Sequence, residues 1–81
     1  MEDTSYSRLR WQCRRGMLEL DHILQEYLDQ QYQSMSLDKK TQFALLLENA
    51  DQTLLEWCLG NESPPAQSDN KMVQEIRNMS V

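Results

Sequence analysis

Leu9, Cys13, Met17, Leu20, Leu24 and Leu28 fall at steps of three and four, the spacing that lines up one face of an α-helix, and Gly16 interrupts that ladder. A glycine inside a helix costs about 1 kcal/mol relative to alanine, and its missing Cβ lets the backbone turn or another surface approach closely. Periodicity alone does not decide between one continuous helix and two. The glycine favours a break or a sharp kink, with Arg14, Arg15 and Glu19 beside it.

The β-branched residues Thr4, Ile23, Thr41, Thr53, Val73, Ile76 and Val81 are scattered rather than clustered, so strands are not expected. A first helix should start near Thr4 or Ser5, either of which can cap it, and carry Leu9, Trp11 and Cys13 up to the arginines. A second is expected from about Met17 to Tyr32, with Leu20, Ile23, Leu24, Tyr27 and Leu28 inward and Asp21, Gln25, Glu26 and Asp29 toward water. Ser36 is placed to cap a third helix whose buried side carries Phe43, Leu46 and Leu47, with Asp38 in its first turn. Asp51 is placed to cap a short fourth helix carrying Leu54, Leu55, Trp57, Cys58 and Leu59, which Gly60 ends. Residues 61–70, with Pro64-Pro65, read as a loop. A last helix is expected from about Asp69 to Met79, its Met72, Val73, Ile76 and Met79 forming an adaptable stripe. The expected fold class is therefore all-α: a small five-helix bundle, one domain over residues 1–81.

A chain of 81 residues buries only about 60% of its unfolded surface, which leaves little room for a deep catalytic cavity. With 40% hydrophobic and 26% charged residues the composition is that of an ordinary globular protein. The apolar run Phe43 to Leu47 is far short of the roughly 20 residues a membrane span needs, so no membrane insertion is expected. Glu2 and Asp3 open the chain with no apolar segment, so neither a secretory leader nor a transit peptide is expected, and the expected location is cytoplasmic. The two cysteines, Cys13 and Cys58, lack the density of a disulfide framework and read as reduced, mostly buried thiols.

The formal charge is −5, which disfavours attraction to nucleic acid or anionic lipid. Arg8, Arg10, Arg14 and Arg15 nevertheless crowd into one short stretch of this acidic chain. A basic edge on an acidic body suits a directed protein contact. Arg15 and Glu19 could pair with each other on a helix surface or with groups of a partner. Together with Gly16, Trp11 and Met17 they read as a docking edge, because arginine and tryptophan are frequent interface anchors. His22 with Glu19 and Glu26 supplies too few fixed ligands for a metal site. Cys13 and His22 lack the oriented third group of a nucleophile and base. The two isolated glycines do not make a phosphate-binding loop. The basic stretch lacks the aromatic interleaving expected of a nucleic-acid surface, and no nucleic-acid partner is expected.

Arg15-Gly16-x-x-Glu19 resembles the RGxxE signature of the small flavinylation factors of succinate dehydrogenase, the SdhE family of bacteria with its mitochondrial relatives. The likeness extends through Trp11-x-Cys13-Arg14-Arg15-Gly16-Met17-x-Glu19-Leu20-Asp21. It continues with Tyr32 ahead of a serine-capped helix, Phe43 with Leu46-Leu47-Glu48, and Asp51 followed by Leu54 and Trp57. From Lys71 onward the chain is similar in length and character but carries no diagnostic motif.

The resemblance implies an assembly factor, not itself an enzyme, that binds the flavoprotein subunit of succinate dehydrogenase, and often that of fumarate reductase. It promotes covalent attachment of FAD to a histidine of that client and holds no cofactor stably itself. In the family the RGxxE surface faces the client. Arg15, Gly16 and Glu19 inherit that role here, with Arg8, Trp11, Arg14 and Asp21 as neighbours, and the chain is expected to act as a monomer. Bacterial members have also carried an antitoxin label as partners of a small inner-membrane protein, which is the alternative reading. Co-purification separates the two: a large FAD protein in the first case, a membrane polypeptide in the second.

Overall fold

A computed structural model describes residues 4–79, which form five α-helices and no strand among them: α1 (Tyr6–Gln12), α2 (Leu18–Gln31), α3 (Leu37–Leu46), α4 (Asp51–Leu59) and α5 (Gln67–Met79), with a single 3-10 turn at Tyr32–Ser34 after α2. Two of the starts are set by serine hydroxyls. Ser5 accepts from the Arg8 amide at 3.4 Å and Ser36 from the Lys39 amide at 3.2 Å, so each satisfies a donor that the first helical turn leaves open.

The leucine ladder does break at the glycine. Gly16 has φ +79°, a left-handed conformation that side-chain-bearing residues adopt at a cost, so α1 ends at Gln12 and α2 begins at Leu18. Both helices still turn the same face inward. Leu9, Cys13, Leu20, Leu24 and Leu28 are completely buried, while Met17, inside the connection, packs partly against them. Gly60, at φ +84°, closes α4 as expected. Its amide donates to the Trp57 carbonyl at 3.2 Å and that of Asn61 to the Glu56 carbonyl at 3.0 Å, the paired bonds of a Schellman cap.

Phe43, Ala44 and Leu46 of α3, Leu54 and Trp57 of α4, and Met72, Val73 and Ile76 of α5 complete one hydrophobic core with α1 and α2. The Tyr27 and Phe43 rings meet with centroids 5.6 Å apart. Among the described residues no polar or charged residue is buried. Tyr27 reaches outward to donate to Glu75 at 2.9 Å, and Lys39 pairs with the same carboxylate at 2.7 Å, tying α2 and α3 to α5.

Three expectations are corrected. Asp51 is the first helical residue of α4 rather than its cap, which is Ala50, because the Asp51 carboxylate is turned toward Arg15 instead of its own helix amides. The last helix begins at Gln67, since the Ala66 carbonyl already accepts a helical bond from Asn70 at 3.0 Å; Asp69 lies within the first turn, where its charge suits the helix dipole. Asp21 does not simply face water. It is half-buried against the α1–α2 connection.

Candidate docking surface

Residues 13–17 connect α1 to α2, and Asp21 in the first turn of α2 folds back over them. One carboxylate oxygen accepts from the Arg15 amide at 2.6 Å and the other from the Gly16 amide at 3.3 Å. A carboxylate taking two backbone N–H groups forms charge-assisted bonds, stronger than neutral ones, and it fixes both peptides at once. Gly16 is therefore presented in one conformation. Apart from its own chain neighbours, no atom lies within 4 Å of the point where a Cβ would stand on it, so its backbone is open to an approaching surface.

Arg15 and Glu19 do not pair with each other. The break at Gly16 removes Arg15 from the helix that carries Glu19, and the guanidinium turns to the α3–α4 turn instead. It donates through Nη2 to the Leu47 carbonyl, and through Nη1 to the Asn49 carbonyl at 3.4 Å and the Asp51 carboxylate at 3.3 Å. Its side chain is only 15% exposed. The arginine of the motif thus clamps the connection to a turn more than thirty residues away, whereas Glu19 is exposed and has no partner among the described residues.

Trp11 stands 63% exposed beside this connection with the Arg14 guanidinium 5.7 Å from its ring centroid, a surface cation–π contact worth about 0.5–1 kcal/mol. Arg8 is exposed nearby and shares a shallow depression with Trp11, Arg14 and Arg15. All seven residues expected at the site therefore lie around one junction. Sequence reasoning missed Leu18, 89% exposed and shared between a groove leading to Trp11 and a second one leading to α5. Its signal was its place off the buried ladder.

His22 pairs with Glu26 at 3.0 Å on the exposed face of α2, and the described residues contain no group of three or more side chains that could hold a metal. Burial pushes the Cys13 thiol up to about 12, against the opposing pull of Arg15 and Arg10, and pushes Cys58 up to about 11. Both are free and buried, poorly suited to act as thiolates. Among the described residues no helix is long and apolar enough to cross a membrane.

Residues 7–80 match a protein family described as flavinator of succinate dehydrogenase. Proteins named FAD assembly factor SdhE are similar along nearly their whole length. That of Shewanella oneidensis is 43% identical over 77 residues, covering 95% of this chain and 94% of the relative. That of Coxiella burnetii is 34% identical over 79 residues, covering 98% and 96%. No solved structure matches the chain. With the family match running through all five helices and relatives of this identity covering both chains almost entirely, the chain belongs to the SdhE/Sdh5 family of FAD assembly factors, the flavinators of succinate dehydrogenase.

Proposed function

We propose that the chain binds the flavoprotein subunit of succinate dehydrogenase, and that of fumarate reductase as a further client, through the α1–α2 junction. Gly16 and Glu19 meet the client, Trp11, Arg8, Arg14 and Leu18 flank them, and Arg15 and Asp21 hold the junction in shape. The observation that carries this reading is the Gly16 backbone, held at φ +79° by Asp21 with open space beside it. A surface pressed there meets bare peptide, and the Glu19 carboxylate beside it, unpaired among the described residues, can accept from a donor on the client.

FAD is the client's prosthetic group, and this chain supplies no reacting atom. It favours the client conformation in which flavin and acceptor histidine stand in bonding geometry, and positioning of that kind contributes several kcal/mol to a rate. A monomer with one docking face is sufficient for this.

Gly16→Arg tests the reading. A left-handed arginine costs roughly 1–2 kcal/mol in backbone strain, and the open space accommodates its side chain, so the variant should fold. Its client should lose covalent flavin, seen as loss of flavin fluorescence in a denaturing gel. Full fluorescence from a client matured with this variant would refute the role of the junction.

A further inference from the structure

On the far side of Leu18 from Trp11, a groove runs between α2, the end of α4 and α5, lined by Leu18, Glu19, Ile23, Cys58, Leu59 and Arg77 among others. Its wall is apolar where α2 faces α4: Leu59 is 50% exposed and Ile23 half-buried. Arg77, near the end of α5, supplies the cation. Its guanidinium lies beside the left-handed turn at Gly60, with Nη1 3.6 Å from where a Cβ on that glycine would stand.

Among the described residues Arg77 makes no ion pair, and its Nε is buried without an acceptor. This is unlike Arg10, Arg15 and Lys39, which pair with Asp29, Asp51 and Glu75. In a chain of net charge −5, acidic groups are in excess, yet none among the described residues reaches this half-buried cation. A guanidinium held partly out of water with unused donors favours a carboxylate arriving from outside, and the apolar wall beside it favours an apolar side chain on the same segment.

We propose that this groove receives a segment of the client flavoprotein carrying an apolar side chain next to a carboxylate, the first covering Ile23 and Leu59 and the second pairing with Arg77. Glu19 lines both the groove and the RGxxE edge, so a client seated on that edge already reaches the groove's rim. The inference rests on the docking role of the junction and extends it by one helix.

The test titrates the full chain and its Arg77→Glu, Arg77→Met and Leu59→Ser variants against the purified apo flavoprotein subunit by calorimetry, with Glu19→Ala as reference and thermal melts as fold controls. Arg77→Glu and Leu59→Ser should each weaken binding about tenfold, Arg77→Met less, and the Arg77→Glu loss should shrink as salt rises. If both groove variants bind within about twofold of the parent while Glu19→Ala binds poorly, the groove proposal fails and the junction reading stands. If Glu19→Ala and Gly16→Arg also bind and mature the client normally, the junction reading itself fails. Should Arg77→Glu not fold, Leu59→Ser, on an exposed side chain, carries the test. A self-association of the chain that both variants abolish without touching client affinity would assign the groove to a second copy and overturn the proposal.

Discussion

Replacing Arg15 by alanine separates a residue that acts through the fold from one that acts on the client. The guanidinium is 15% exposed and makes three contacts, with the Leu47 carbonyl, the Asn49 carbonyl at 3.4 Å and the Asp51 carboxylate at 3.3 Å. A bond from a charged donor contributes about 1.5–3 kcal/mol at good geometry. The two longer contacts fall at or beyond the end of the usual distance range, and Asp51 is 43% exposed, so that ion pair contributes about 0–1 kcal/mol. The buried Nε without an acceptor subtracts part of the gain. The net loss on Arg15→Ala is about 1–3 kcal/mol, a sizeable share of the roughly 4–12 kcal/mol expected of a chain this size. It corresponds to a melting temperature lower by roughly 5–20 °C. Glu19→Ala removes an exposed, unpaired carboxylate from the first turn of α2 and should cost under about 1 kcal/mol. Thermal melts by circular dichroism, read beside flavin incorporation measured well below both transitions, give the comparison. Arg15→Ala should melt early and recover part of its activity in the cold; Glu19→Ala should melt normally and stay inactive. An Arg15→Ala protein melting within about 3 °C of the parent would show that the clamp adds little and refute the reasoning.

Three further outcomes follow from the same geometry. Asp21→Asn, which cannot offer a charged acceptor to both amides, should cost about 1–2 kcal/mol and speed hydrogen exchange at the Arg15 and Gly16 amides, while unchanged exchange there would contradict the bracing role. Burial works against the charge on Glu75, but hydrogen bonds from Lys39 and Tyr27 outweigh it and hold the carboxyl below its usual 4.5. Its stabilisation is therefore complete above the unfolded value and lost as pH falls through the lower folded one; Glu75→Gln should flatten the acid limb of a stability–pH curve in that window, and an identical limb would count against it. Cys13 and Cys58, with thiols raised to about 12 and about 11 by burial, should react with a disulfide reagent at neutral pH no faster than the chain opens, and rapid labelling of the native protein would oppose their placement.

The parts legible in the sequence were those governed by neighbours a few positions away. The ladder from Leu9 to Leu28, the cap at Ser36, the stop at Gly60 and the break at Gly16 each depend on local spacing or on a backbone angle that one residue type tolerates. What stayed hidden depends on distant chain. Arg15 finds its acceptors at Leu47, Asn49 and Asp51, and nothing in the order of residues says that the α3–α4 turn will lie against the α1–α2 connection. The same contact draws Asp51 away from its expected capping role. The RGxxE letters mark the proposed docking edge, but they did not reveal that the arginine faces inward while the glutamate faces out.

A core without a single buried polar residue among those described is packed by shape and volume, with polar ties such as Tyr27 and Lys39 to Glu75 kept at its edge. Such an interior accepts exchange of one aliphatic or aromatic side chain for another of like size at modest cost. The α1–α2 connection has no such latitude, since each of its anchors is a particular donor meeting a particular acceptor. Chemical identity is thus concentrated at the α1–α2 corner, and the apolar interior behaves as interchangeable ballast that keeps this corner in register.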